Sequence, residues 1–303
     1  MIKKLSKLTL IMILMGAIMA CSFAGCQGMT DKEEYGDWRV DWNEYRPSAR
    51  PPQNGGDEGD ANAGNGEGNA SQGNGETQTP SNTNTATQEP ILYTAMIKSN
   101  TSNLNIRSAP SSSASVLGSM DKGDMVRYEG LQNGWYKTIY KQKPAYIYAG
   151  NGYASVEYMK QASQEIEKVI AVGEELLGYP YVWGSQRYHW GNGKLNSNFV
   201  QGQYDCSALM QYIFFKGNGV LMDLNTRTQV LQGKEVKDGD LKRGDVMFFT
   251  NDSRVGKSGV ERVGHVALYL GDNYILHTAS DHAVIEPISN KRWSYFIIAK
   301  RFI

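Results

Sequence analysis

The sequence predicts an α+β domain in its C-terminal half, preceded by a small all-β barrel, and three observations carry that prediction. Between Ile91 and Tyr158, short apolar and aromatic runs alternate with Gly, Asn, Ser and Pro. Between Ser163 and Phe214, two segments carry apolar residues at helical spacing, and from Val246 onward the apolar runs are strand-like again. Closely spaced short strands suit a barrel, whereas helices followed by a series of strands give α+β layering.

The chain has 303 residues, with 31 basic and 31 acidic side chains, so its formal net charge is zero. That balance supplies no bulk attraction to nucleic acid or acidic membranes, and nucleic acid is not an expected partner. Lys3, Lys4 and Lys7 precede an apolar run from Leu8 to Ala20, which reads as an export signal. Phe23-Ala24-Gly25-Cys26 follows and resembles a lipobox, so residues 1–26 are expected to be a lipoprotein signal peptide with Cys26 as the lipidated residue. Cys21 is the second candidate, and an uncleaved anchor or a lipid-free secretory signal are the alternatives. All of these readings place the remainder outside the cytoplasm, and the lipidated form would be tied to the membrane and face the cell wall.

Residues 27–90 are expected to form a polar tether. From about Tyr45 they are dominated by Gly, Asn, Gln, Thr, Ser and Glu, too poor in large apolar side chains to repay the entropy of folding. Cleavage before Cys26 would leave Cys206 as the lone unmodified cysteine. A single thiol in an oxidising exterior is either reactive or a small buried hydrophobe.

Residues 91–160 are expected to form the barrel, with strands around Leu104–Arg107, Val116–Leu117, Met125–Tyr128, Trp135–Ile139 and Tyr146–Tyr148. The order Asn103-Leu104-Asn105-Ile106-Arg107-Ser108-Ala109-Pro110, Gly123-Asp124, Gly134-Trp135-Tyr136-Lys137 resembles a bacterial SH3-like domain. That resemblance implies binding of wall material or positioning of a neighbouring catalytic unit, although the aromatic residues also suit the barrel's own core.

Residues 161–303 are expected to form the second domain. Ile166, Val169, Ile170, Ala171, Leu176 and Leu177 recur at helical spacing until Gly178-Tyr179-Pro180 stops the pattern. A second helix contains Ala208 to Phe214, with Asp205 as its N-cap. Strands are expected at Val246–Phe249, His265–Leu270, Tyr274–Thr278 and Tyr295–Phe302.

Cys206 in the first turn of its helix would meet the positive end of the helix dipole, which favours a thiolate. The amides there, including that of Cys206, are also placed to donate to an oxyanion. Of the four histidines, His265 opens one strand and His277 closes the next, across the turn Gly271-Asp272-Asn273. A cysteine nucleophile, a histidine base and a group that orients the base fit that placement. The alternatives are structural histidines, or a zinc site, which lacks both local ligand spacing and a fourth ligand. Asp281 and His282 read as peripheral loop residues.

Five segments in order, Pro180-Tyr181-Val182-Trp183-Gly184, Asp205-Cys206-Ser207-Ala208-Leu209, Gly244-Asp245-Val246-Met247-Phe248-Phe249, Gly264-His265-Val266-Ala267-Leu268-Tyr269-Leu270-Gly271 and His277, resemble the NlpC-type family of papain-like cell-wall peptidases. The resemblance covers about Glu165 to Ile303. It implies Cys206 as nucleophile, His265 as base and His277 as the polar third member, with no metal or organic cofactor. Tyr181, Asp205 and Ser207 flank the nucleophile and are the expected substrate-binding residues.

The implied substrate is the stem peptide of peptidoglycan, in intact wall or muropeptides, cut after D-glutamyl through a Cys206 thioester. An amidase or acyltransferase on the same scaffold, or a non-catalytic wall-binding lipoprotein, are the alternatives. Two features depart from the family pattern. Ser185 and Ala208 replace usual glycines, and the segment Ser185 to Tyr204 is longer than usual, leaving Arg187 and Trp190 without assigned roles.

Overall fold

The computed structural model describes residues 91–237, 239–278 and 281–303. The expected signal segment, Cys21, Cys26 and the tether lie outside the described residues. Eight strands come first: β1 Tyr93–Ser99, β2 Leu104–Arg107, β3 Val116–Met120, β4 Met125–Arg127, β5 Gly130–Gln132, β6 Trp135–Tyr140, β7 Lys143–Tyr148 and β8 Ala154–Lys160. Helices α1 Gln164–Glu175, α2 Cys206–Asn218 and the single-turn α3 Thr226–Gln229 follow. Then come β9 Lys234–Val236, β10 Val246–Phe249, β11 His265–Gly271, β12 Tyr274–Thr278, β13 Ala283–Pro287, the short α4 Asn290–Ser294 and β14 Phe296–Arg301.

The architecture is the expected one, an α+β papain-like region with an SH3-like β region ahead of it. Its sheets cross that division. Strands β3-β2-β7-β6-β5 form one sheet, while β8-β1-β4 continue through β13 into β12-β11-β10-β14-β9, giving nine strands. The junction is narrow, with Met125 of β4 paired to Ile285 of β13.

Alternation along the central strands separates two apolar layers. Val246, Phe248, Val266, Leu268 and Leu276 join the large core under α1 and α2, whereas Met247, Phe249, Ala267, Tyr269 and Ile275 build a smaller cluster on the opposite face. His265 and His277 share the odd-numbered face with Phe249, whose ring centroid lies 6.1 Å from that of His265.

Helix α1 begins where Ser163 accepts a bond from the Ile166 amide, and it buries Ile166, Val169 and Ile170. Its successor is nearly all apolar from Ala208 to Phe214, so it is buried on every side. The two helices meet at Gly217, where a Cβ would come within 2.5 Å of Val169 Cα. After α1 the chain reverses at Gly178, with φ +85°, directly against the Tyr140 ring of the barrel.

Two bidentate ion pairs brace the turn that leads into β10. Arg243 grips Glu167 of α1 at 2.7 and 2.9 Å and also donates to the Leu270 carbonyl. Arg301 of β14 grips Asp245 at 2.7 and 2.8 Å.

Candidate active site

Asp205 stands in extended backbone just before α2, and its Oδ1 accepts from the Ala208 amide at 2.8 Å. Cys206 is therefore the first residue of the helix, and only 7% of its surface is exposed. Burial pushes its thiol up to about 12, the Asp205 carboxylate adds to that rise, and hydrogen bonds from the Val266 and Ser207 backbone oppose it. The helix terminus favours a thiolate, as the sequence predicted, but desolvation outweighs it here, so the resting thiol is neutral. Because Val266 follows His265, its amide seats the thiol against the start of β11.

Across the sheet, His265 Nε2 lies 2.9 Å from His277 Nδ1. His277, fully buried, places its Nε2 2.9 Å from Glu286 Oε1, which also accepts from Arg292 Nη2 at 3.2 Å. Burial drives both imidazoles below their ordinary range, most strongly that of His265, so both are neutral at rest. For Glu286, burial acts upward, but the His277 bond and the charge of Arg292 win, and its carboxyl sits below the usual value.

The segment from Ser185 to Tyr204 packs against the first turn of α2. Arg187 pairs with Asp205 Oδ2 at 3.0 Å, donates to Ser207 Oγ at 3.0 Å and reaches the Ser185 and Leu224 carbonyls. Ser185, standing where glycine was expected, accepts the Asp205 backbone N–H at 2.8 Å through its hydroxyl.

Asp205 and Ser207, expected to contact substrate, lie on either side of Cys206 at the start of α2. Both are buried and spend their polar atoms on the helix cap, on each other and on Arg187. Tyr181 is half-buried and near enough to Cys206 that the thiol's charge would add to the burial that raises its hydroxyl to about 12. Trp183 is 85% exposed, and Trp190 lies on the surface. The paired Asp281 and His282 remain outside this chain of contacts, 2.8 Å apart.

Glu286 and Arg292 are the residues that sequence reasoning missed. Ala283-Val284-Ile285-Glu286-Pro287 does alternate and ends on proline, which is a legible strand signal. That Glu286 faces His277 follows from the register, in which Ile275 pairs with Glu286 and His277 with Val284.

A cysteine leading a central helix, set against an antiparallel sheet that bears the histidines, is the papain-like arrangement. Residues 178–301 match the NlpC/P60 family, and residues 102–159 match the bacterial SH3 domain. The chain is 29% identical over 127 residues to the peptidoglycan endopeptidase RipA of Mycolicibacterium smegmatis, covering 41% of this chain and 24% of that protein. It is 27% identical over 143 residues to the peptidoglycan DL-endopeptidase CwlO of Bacillus licheniformis, covering 46% and 28%. It is 33% identical over 132 residues to the gamma-D-glutamyl-L-lysine dipeptidyl-peptidase of Bacillus subtilis, covering 43% and 38%. This chain thus spans well under half the length of each of these relatives.

Proposed function

We propose that the protein is a cysteine peptidase that hydrolyses stem-peptide amide bonds of peptidoglycan, with Cys206 as nucleophile, His265 as base and His277 as the group that orients it. The observation that carries this reading is the 2.9 Å contact between His265 Nε2 and His277 Nδ1, beside a helix-leading cysteine held by the Val266 amide. The bond proposed is the one after D-glutamyl. It agrees with the name of the Bacillus subtilis relative and with the endopeptidase names of the others.

In this reaction Nδ1 of His265 takes the Cys206 proton as sulfur attacks the scissile carbonyl carbon. The Cys206 amide, one of the N–H groups that a helix N-terminus leaves free, donates to the oxyanion, and the Tyr181 hydroxyl is the second candidate donor. Collapse breaks the C–N bond, and the imidazolium returns its proton to the leaving amine. Water then gives a proton to His265 and attacks the thioester, releasing the new carboxylic acid and restoring the thiol. Asp205 and Ser207 hold the helix start and, with Tyr181, are the residues proposed to line the substrate side of Cys206.

The proposed domain order is a signal peptide at 1–26, a tether at 27–90, an SH3-like domain at 91–160 and the catalytic domain at 161–303. Lipidation at Cys26 would hold the protein at the membrane, facing the wall. Among the described residues no helix is long and apolar enough to cross a membrane. Loss of fatty-acid labelling and of membrane association in Cys26→Ser would support the anchor, and unchanged labelling would remove it.

Full-length protein is to be incubated with purified peptidoglycan and defined muropeptides beside a Cys206→Ala variant, with products read by mass spectrometry. Stem-peptide fragments made only by the parent are expected, and their masses identify the bond. Wall binding without cleavage by either protein would leave a wall-binding role instead.

A further inference from the structure

Two residues behind the histidines have no part in the reaction as described. Glu286 lies on β13 and Arg292 on α4; Glu286 sits at Nε2 of His277, the ring nitrogen not bonded to His265, and Arg292 reaches the same Glu286 oxygen. The carboxylate accepts one bond from each neighbour at a single oxygen, Oε1.

An ionised carboxylate only accepts hydrogen bonds, so the proton of neutral His277 must be on Nε2, pointing at Glu286. Nδ1 of His277 is then a bare lone pair, and the 2.9 Å contact with His265 requires the proton to sit on His265 Nε2. Neutral His265 is left with its lone pair on Nδ1, the one nitrogen of the two rings without a partner in this chain of contacts. The carboxylate therefore dictates, through two rings, which atom of His265 is basic.

We propose that Glu286 is a positioning residue that acts through His277 to fix the tautomer of His265 and to stabilise the imidazolium formed when the Cys206 proton moves, while Arg292 limits that stabilisation. This rests on the cysteine-peptidase reading of the site. It adds what selects the basic atom.

The charges that bear on His277 come from several elements. His265 faces it from β11, Glu286 from β13, Arg292 from α4 and His282 from the loop ahead of β13, while Asp124 at the start of β4 faces Glu286. Glu286 favours the protonated form of His277, and Arg292 opposes protonation of both histidines. Removing the anion and removing the cation must therefore move the same titration in opposite directions.

The test uses the full-length chain with Glu286→Gln and Arg292→Gln. Histidine tautomers and protonation midpoints are read from nitrogen–proton NMR spectra, and the pH profile of Cys206 alkylation by iodoacetamide is measured beside peptidoglycan cleavage. Glu286→Gln is expected to lower the histidine midpoints by about one pH unit. It should also move the rise of alkylation to higher pH and reduce kcat/KM by about tenfold to a hundredfold, the scale of losing a carboxylate partner behind a functional histidine.

Arg292→Gln is expected to raise the midpoints and move alkylation to lower pH. Unchanged profiles in both variants, or shifts of the same sign, would overturn the proposal. If Glu286→Gln does not fold, the Arg292→Gln shift decides alone, upward in support and absent against. The NMR and alkylation readouts need no substrate, so a parent enzyme that fails to cut peptidoglycan removes the proposed function without deciding this inference.

Discussion

Arg187 and Asp205 form an ion pair at 3.0 Å, with side chains only 15% and 9% exposed, immediately ahead of the proposed nucleophile. Asp205 caps α2, so the added segment that carries Arg187 sets the start of that helix. Removing one partner leaves the other charge buried. Arg187→Met is expected to lose about 3 kcal/mol of unfolding free energy in urea titrations and to reduce kcat/KM. A variant as stable as the parent would show that the pair does not hold the helix start.

The neutral thiol of Cys206 makes its reactivity depend on a base. With burial holding the thiol near 12, the proposed mechanism gives its proton to His265 at neutral pH. His265→Ala is expected to lower kcat/KM by about a hundredfold to ten-thousandfold while leaving the circular dichroism spectrum unchanged. Cleavage at the parent's rate would remove His265 from the mechanism.

Gly217 is the contact point of α1 and α2. An alanine there would place Cβ 2.5 Å from Val169 Cα and 2.7 Å from Val169 N, and backbone on both sides leaves no flexible side chain to give way. Gly217→Ala is expected to destabilise the fold by about 1–3 kcal/mol, despite alanine's better helix propensity. A gain in melting temperature would show that the helices can separate freely.

Glu174 faces Arg127 of the barrel at 3.6 Å, and burial raises its carboxyl to about 7. The folded state thus binds a proton that the unfolded chain releases near 4.5. As pH climbs from about 4.5 to 7 the unfolded state is increasingly favoured, and this contribution to stability declines by roughly 3 kcal/mol. Glu174→Gln should remove one proton's worth of that slope, with Asp124 still titrating near 6. Denaturation at pH 5 and pH 8 measures it, and equal slopes in both proteins would contradict the assignment.

Much was legible in the chain alone. Period-2 and period-3.6 patterns depend on neighbouring residues, so α1, α2 with its Asp205 cap, and strands β10, β11 and β12 could be placed from sequence. Cys206, His265 and His277 are singled out by residue type at or near the ends of such elements, and the structure brings the two histidines within 2.9 Å.

What only the tertiary structure decided depends on contacts between distant segments. The sequence divided the barrel from the second domain, yet β4 joins β13 and the nine-stranded sheet runs through both, because edge strands pair by spatial proximity rather than by order. Glu286 reaches His277 only through the β12–β13 register, and Arg187 reaches Asp205 only when its segment folds back on α2. The state of the Cys206 thiol was decided the same way. The helix end that favours charge is a local feature, whereas the burial that overrides it is made by the surrounding fold.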